Sequence, residues 1–291
     1  MDITKYEVLL RAVDCGSLTR AAEEVGYTQS GISHMMKSLE SEFGFPLLVR
    51  GRSGVTLTKG GESILPYIRT IVNANHHLNQ NVSELNGLDT GEINIGEFAS
   101  ISISWMPNII DEFHRDYPNI MLHLIEGSTQ ELEKLLEENR LDFAFCSFQP
   151  HMHYDWFPLK RDPILAILPL NHPCANFDSY PISAFQNEPF VIPSMGVDYD
   201  IMRVLKEAKV QPACPFSTMD DYAAIAMVEK GLCVSLSYEM LLKGNPSKVA
   251  IVELDPPQYR TIGIVAPSFE ALSPAARKFV SYAKRIVPTL P

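Results

Sequence analysis

Thr28, Gln29, Ser30, Ser33, His34 and Lys37 fall within one ten-residue stretch and carry hydroxyl, amide, imidazole and ammonium groups. Between and beyond them, Ile32, Met35, Met36 and Leu39 recur at i, i+3, i+4 and i+7, the period of one apolar helix face. The polar groups therefore share the outward side. Gln pairs bidentately with adenine, Ser with several base edges, and Lys or His with guanine acceptors or phosphate. This pattern predicts a helix whose fringe reads double-stranded DNA in the major groove. Taken alone, the segment equally allows an amphipathic helix whose polar side is simply solvated.

A reading fringe needs neighbours that hold it. Upstream, Ala21, Ala22 and Val25 form the apolar side of a short helix, Ser17 or Thr19 can cap its start, and Gly26 supplies the left-handed residue that ends it. Thr28 then caps the second helix, so the two form a helix-turn-helix about a glycine-centred turn. Downstream, Leu47 to Thr58 reads as two short strands around a Gly and Arg tip. Such a wing sets Arg50 and Arg52 against the phosphate backbone or in the minor groove. Residues 1–58 are thus expected to form a mainly helical winged helix-turn-helix domain.

Net charge does not advertise a nucleic-acid partner. The formal value is -11, yet residues 1–88 hold 8 Lys+Arg against 9 Asp+Glu, so the acidity lies in the remainder. Affinity must come from local placement of Lys37, Arg50, Arg52 and Lys59 and from doubling the module. Residues 59–88 offer the means. Ile64, Ile68, Ile71, Asn75, Leu78, Val82 and Leu85 step alternately by four and three, a heptad seam with one polar member. With Ile64 at d, Asn75 occupies an a position, where a buried amide fixes register. The seam is ~33 Å long, about one turn of DNA. Pro66 is expected to bend its early turns. A long helix packed on its own domain is the alternative.

After a short polar hinge at residues 86–91, strand-like and helical runs alternate through residues 89–291. Strands are expected near 93–98, 121–125, 143–146, 164–168, 191–192, 234–236 and 262–265, with helices over 105–117, 131–139, 200–209, 220–230 and 274–287. The alternation predicts parallel α/β sheets, and about 200 residues is enough for two lobes.

Catalytic motifs are missing: the chain has no Gly-x-Ser-x-Gly elbow, Walker loop, dinucleotide fingerprint or His-Glu-x-x-His helix. No enzyme activity and no cofactor are expected. His151-Met152-His153 fits no familiar zinc spacing and reads as a loop without metal. Cys15, Cys146, Cys174, Cys214 and Cys233 are odd in number and scattered, so structural disulfides are not expected; Cys214 and Cys233 read as core residues. With no signal peptide and no apolar run of membrane-spanning length, a soluble cytoplasmic protein without membrane contact is expected.

The chain resembles the LysR-type transcriptional regulators along its whole length. The resemblance is carried by Gly16-Ser17 leading to Ala21-Ala22, by Thr28-Gln29-Ser30 with Ile32-Ser33, by Leu39-Glu40 before Phe43-Gly44, and by Arg50 and Leu57-Thr58 before Gly60-Gly61. It departs from the family pattern at Gly31, where Ala is usual, at Leu48, where Phe is usual, and at Ser53, where a second Arg is usual; here Arg52 comes one place earlier. The resemblance implies a linker helix paired antiparallel in a homodimer, assembly to a homodimer or homotetramer, and RNA polymerase as a possible further partner. It also implies a periplasmic-binding-protein-like effector domain of two lobes, about 92–161 with 266–291 and about 162–265, taking a small-molecule effector in the cleft.

Cleft residues follow from the strand ends. The family's Leu-Pro pair, here Met106-Pro107, places Ser100 at its usual pocket serine, with Ile101 and Ser102 beside it. Ser128 and Thr129, Ser147 and Phe148, Pro193 and Ser194, and Thr218 stand at the other edges. Free N–H groups and hydroxyls at helix starts suit a carboxylate or another anion, while plain helix capping is the alternative for each. A different class of function also fits: a cytoplasmic ligand-binding or catalytic α/β module whose N-terminal domain makes only protein contacts. Sequence-specific DNA binding separates the two.

Overall fold

Three capped helices build the N-terminal unit of the computed structural model, which describes residues 2–51, 54–86, 90–243 and 247–290. The side chain of Asp2 accepts from Thr4 N at the start of α1 (Ile3–Cys15), Ser17 caps α2 (Leu18–Val25), and Thr28 caps α3 (Gln29–Phe43). The turn between α2 and α3 is made by Gly26 at φ 70°, a left-handed conformation that favours glycine. Two short strands, β1 (Leu48–Gly51) and β2 (Gly54–Leu57), pair antiparallel with Leu48 opposite Leu57, and α4 (Lys59–Leu85) follows.

The wing is tied to the helices by backbone contacts. Val55 N donates to Gly16 O at 2.9 Å, and a Cβ on Gly54 would stand 2.3 Å from that same oxygen, so the approach requires glycine there. Glu40 Oε1 accepts from the backbone N–H groups of Leu47 and Leu48, linking the end of α3 to the first wing strand. Ile32, Met36, Leu39, Leu9 and Leu47 are fully buried in the shared core.

Helix α4 runs uninterrupted through Pro66. The structure divides its heptad seam in two. Ile68 is buried in the helix-turn-helix core, with Ile64 and Ile71 packed against it, and buried Arg69 meets Asp14 at 2.7 Å. From Leu78 on, the seam residues are exposed: Leu78 by 61%, Val82 by 48% and Leu85 by 87%. The first half of the seam thus serves its own domain, as the alternative reading had it, and the second half is left uncovered in the monomer.

The chain forms two compact units, residues 1–88 with 138–140 and residues 89–137 with 141–291. The second unit begins with β3 (Gly91–Glu97), α5 (Ala99–Ser104), α6 (Met106–Asp116), β4 (Ile120–Glu126), α7 (Thr129–Glu137) and β5 (Phe143–Ser147). A 15-residue strand, β6 (Asp155–Pro169), leads to β7 (Ser179–Pro181), β8 (Pro189–Ile192), α8 (Tyr199–Glu207), β9 (Ala213–Ser217), α9 (Asp221–Glu229), β10 (Ser235–Tyr238) and α10 (Glu239–Lys243). An 18-residue strand, β11 (Val249–Ala266), returns the chain to α11 (Pro274–Ile286).

The main sheet has the order β10-β6-β11-β5-β3-β4, with β7 alongside β11; β8 and β9 form a separate parallel pair. Parallel pairing, expected throughout, holds for β3 with β4 and β5, for β7 with β11 and for β8 with β9, but β6 pairs antiparallel with β10 and β11, and β11 antiparallel with β5. The reason lies in two long strands that serve two cores. One core gathers Ile95, Trp105, Phe113, Phe143, Ile264 and Phe279, the other Ile167, Tyr180, Phe185, Phe190, Val228 and Val252. Strands β6 and β11 contribute to both, and these two cores define the lobes.

Candidate functional site

Two surfaces are candidates, one in each unit. On α3, Ile32, Met36 and Leu39 are fully buried, while Thr28, Gln29, Ser30, His34 and Lys37 are exposed and Ser33 is half-buried. Thr28 Oγ1 accepts from Gly31 N at 3.1 Å and lies 3.2 Å from Ser30 Oγ, so the helix start is held with its amide and hydroxyls outward. Arg50 reaches from β1 and donates from Nη1 to Ser33 Oγ at 2.7 Å. Arg50 is thereby brought to the same edge as the α3 fringe. Arg52, the other wing arginine expected to meet DNA, lies outside the described residues.

In the second unit a cavity of about 290 Å³ opens between the lobes. Four of the expected effector residues line it: Ser100, Ser128, Thr129 and Ser194. The others do not. Ile101 is buried in the first lobe's core, Pro193 is buried, and the Phe148 ring packs on Trp156 at 5.4 Å. Ser147 is buried and bonded to Asp200, Ser102 turns its hydroxyl toward Phe98 O and Glu126, and Thr218 caps the turn at Asp220.

Two of the three lining serines already have partners. Ser128 donates its N–H and hydroxyl to Glu131 Oε2 at 2.8 and 2.7 Å, which holds the Glu131 carboxyl below its ordinary range. The anion expected at that helix start is therefore supplied by the helix itself. Ser100 Oγ accepts from Arg260 Nη2 at 2.8 Å.

Arg260 is the residue that the sequence pattern did not single out. It is a register partner of Asp162 across β11 and β6, where the two long strands pass between the lobes. Arg260 is 4% exposed and Asp162 2%. Nε and Nη2 of Arg260 lie 2.9 and 2.7 Å from Asp162 Oδ2, and Asp162 Oδ1 accepts from Met240 N. The guanidinium stacks 3.4 Å from the centre of the Tyr238 ring. Tyr238 in turn donates its hydroxyl to Asp198, whose carboxylate also caps α8 through Asp200 N and Ile201 N.

Acids dominate the remaining lining: Glu126, Glu131, Asp198, Asp200 and Asp221. Burial pushes Asp221 up to about 6, with the charges of Asp198 and Glu126 adding to it, and burial likewise raises Asp200. Behind the lining, Glu97 is 1% exposed and is pushed up to about 7, first by burial and then by the charge of Glu126, against a hydrogen bond from Ser102. For Arg260, the signal in the sequence is a lone arginine just ahead of the apolar run at 262–265.

Elsewhere, His151 pairs with Glu133 at 3.0 Å and Met152 is buried in a small core, so the His-Met-His run is occupied structurally. Cys233 is buried, whereas Cys214 is exposed on β9 and donates to Pro212 O, unlike the core position expected for it.

Residues 3–62 match the family description "Bacterial regulatory helix-turn-helix protein, lysR family", and residues 86–287 match "LysR substrate binding domain". The chain belongs to the LysR family of transcriptional regulators. It combines a DNA-binding helix-turn-helix domain with an effector-binding domain. This LysR-family regulator is 29% identical over 289 residues to the HTH-type transcriptional regulator YvbU of Bacillus subtilis (strain 168), covering 98% of this chain and 99% of that one. Among solved structures, full-length OxyR from Pseudomonas aeruginosa superposes with a TM-score of 0.78 at 21% identity, covering 100% of this chain and 96% of that one. Full-length CbnR in complex with its target DNA gives a TM-score of 0.67 at 17% identity, covering 98% and 99%. Among the described residues no helix is long and apolar enough to cross a membrane.

Proposed function

We propose that this regulator reads its operator through Gln29, Ser30, Ser33, His34 and Lys37, with Thr28 holding the helix start and Arg50 and Arg52 on the adjoining backbone. The observation that carries this is the division of α3 into a fully buried face of Ile32, Met36 and Leu39 and an exposed polar edge joined by Arg50. A merely solvated helix would not recruit a wing arginine to that edge. Ser30→Ala and Lys37→Ala are each expected to weaken binding to the chain's own upstream DNA about tenfold or more, measured by fluorescence anisotropy. Lys37→Ala should also reduce the salt slope by about one. Both side chains are exposed, so the melting temperature should stay within about 2 °C. Unchanged affinity in both variants would remove α3 from the interface.

The protein acts in the cytoplasm as a homodimer or higher assembly joined through the uncovered half of α4. Leu78, Val82 and Leu85 support this, being exposed apolar residues on one heptad seam with half-buried Asn75 at its head. Leu78→Asp with Val82→Asp is expected to shift the sedimentation equilibrium to monomer at micromolar concentration. A dimer that survives both substitutions would place the interface elsewhere.

A small molecule in the cleft changes the relation of the lobes and through it DNA binding, and is not chemically transformed. Support comes from the lining: Ser100 and Ser128 are held in structural hydrogen bonds, and no histidine is among the described residues that line the cavity.

A further inference from the structure

The cleft's charge names the chemical class of its ligand. Of the five lining carboxylates, three are already held within the protein. Glu131 accepts from Ser128, Asp198 accepts from Tyr238 and two backbone N–H groups, and Asp200 is bonded to Ser147 and lies 3.7 Å from Arg203. Among the described residues, Glu126, on the first lobe, is met by the Ser102 hydroxyl alone, at 3.4 Å. No donor among the described residues reaches the carboxylate of Asp221, on the second lobe; burial raises it, with Asp198, Asp220 and, least of them, Glu126 adding to the rise and Arg260 working against it. Arg260, the one cation among the described residues of the lining, is paired with Asp162 and stacked on Tyr238, and its charge is further answered by Asp200 and Asp221.

A second, independent observation points the same way. Glu97 and Glu126 are register partners at the carboxyl ends of β3 and β4, so their side chains leave the sheet on the same side, toward the cleft. Glu97 is 1% exposed and its Oε2 has no hydrogen-bond partner. With one oxygen unpartnered and Glu126 beside it, Glu97 keeps its proton although Ser102 bonds to it, and a cation nearby would let it ionise.

We propose that the effector carries a protonated amine that docks between Glu126 of the first lobe and Asp221 of the second. This rests on the reading of the cleft as the effector site. Like charges facing each other keep the lobes apart, and a cation between them removes the repulsion and draws both walls inward. A bare metal ion fits poorly. Among the described residues no three of His, Cys, Asp and Glu are grouped closely enough to hold one. The acids are instead spread around a cavity of about 290 Å³, the size for a small organic metabolite.

The test is thermal melting of the full-length protein at constant ionic strength with ethanolamine, 1,4-diaminobutane and agmatine, against glycolate, succinate and adipate. At least one amine is expected to raise the melting temperature by about 2 °C or more, and Asp221→Asn and Glu126→Gln should each diminish that shift. Amines without effect, or an amine shift that both variants retain, would overturn the proposal. A carboxylate shift abolished by Ser100→Trp, with the amines inert, would overturn the cationic class and keep the cleft as the effector site. Shifts indifferent to all three substitutions would overturn the cleft reading as well.

Discussion

Arg260→Ala is expected to destabilise the effector-binding unit by about 3–5 kcal/mol, the usual cost of breaking a buried ion pair by removing one partner. Asp162 would be left as an uncompensated charge at 2% exposure, and Ser100 and the Tyr238 ring would both lose their contact. At about 2–4 °C per kcal/mol for a unit of this size, the melting temperature should fall by about 6–20 °C. Asp162→Asn on top of Arg260→Ala should recover part of the loss, because the stranded charge disappears while an amide oxygen can still accept from Met240 N. Circular dichroism melts of the two variants check this. A loss under about 1 kcal/mol, or no recovery in the double variant, would mean that the pair does not hold the strand crossing.

Glu97→Gln is expected to do the opposite, and in a pH-dependent way. The carboxyl of Glu97 rises from its ordinary 4.5 to about 7 on folding, so between those values the folded chain keeps a proton that the unfolded chain releases. Its contribution to stability is therefore greatest below about pH 4.5 and is lost as the pH climbs through 7. The groups facing it are Glu126 on the paired strand, whose charge raises it further, and Ser102 on α5, whose hydroxyl works against the rise. Gln keeps the shape and removes the ionisation. The gain over wild type should approach about 3 kcal/mol at pH 8 and vanish near pH 4.5. Urea denaturation at pH 5, 6.5 and 8 measures the gap; parallel curves at all three values would show that Glu97 ionises freely.

What the sequence disclosed was local. The periodicity of Ile32, Met36 and Leu39, the cap at Thr28 and the turn at Gly26 are set by neighbours within a few residues, so the helix-turn-helix and its polar edge could be read directly. Glu40 stood out through resemblance alone, and its role in holding Leu47 and Leu48 emerges only when the wing is in place. The cleft was half legible. Ser100 and Ser128 announce themselves as polar residues at strand ends, whereas Glu97, Glu126, Asp162, Asp198, Asp221 and Arg260 are scattered over more than half of the chain and meet only through the crossing strands. Those strands were themselves obscured. Pro158 and Pro163 interrupt β6 and Pro256 and Pro257 interrupt β11, and proline reads as a strand breaker. The heptad seam misled in a different way, because a seven-residue repeat cannot say that its first turns belong to the chain's own domain.

Because the chain leaves the first lobe along β6 and comes back along β11, the second lobe is an insertion with both its seams at one place. A chimera that exchanges residues 162–265 for the corresponding stretch of a relative would transplant half of the ligand chemistry in one piece. Arg260 and Asp162 would travel together in such a graft, carrying their own counter-charge, while Ser100 and the first-lobe core around Ile262 and Ile264 would have to greet newcomers. Such a chimera is expected to exchange effector preference with the DNA-reading module left as it stands.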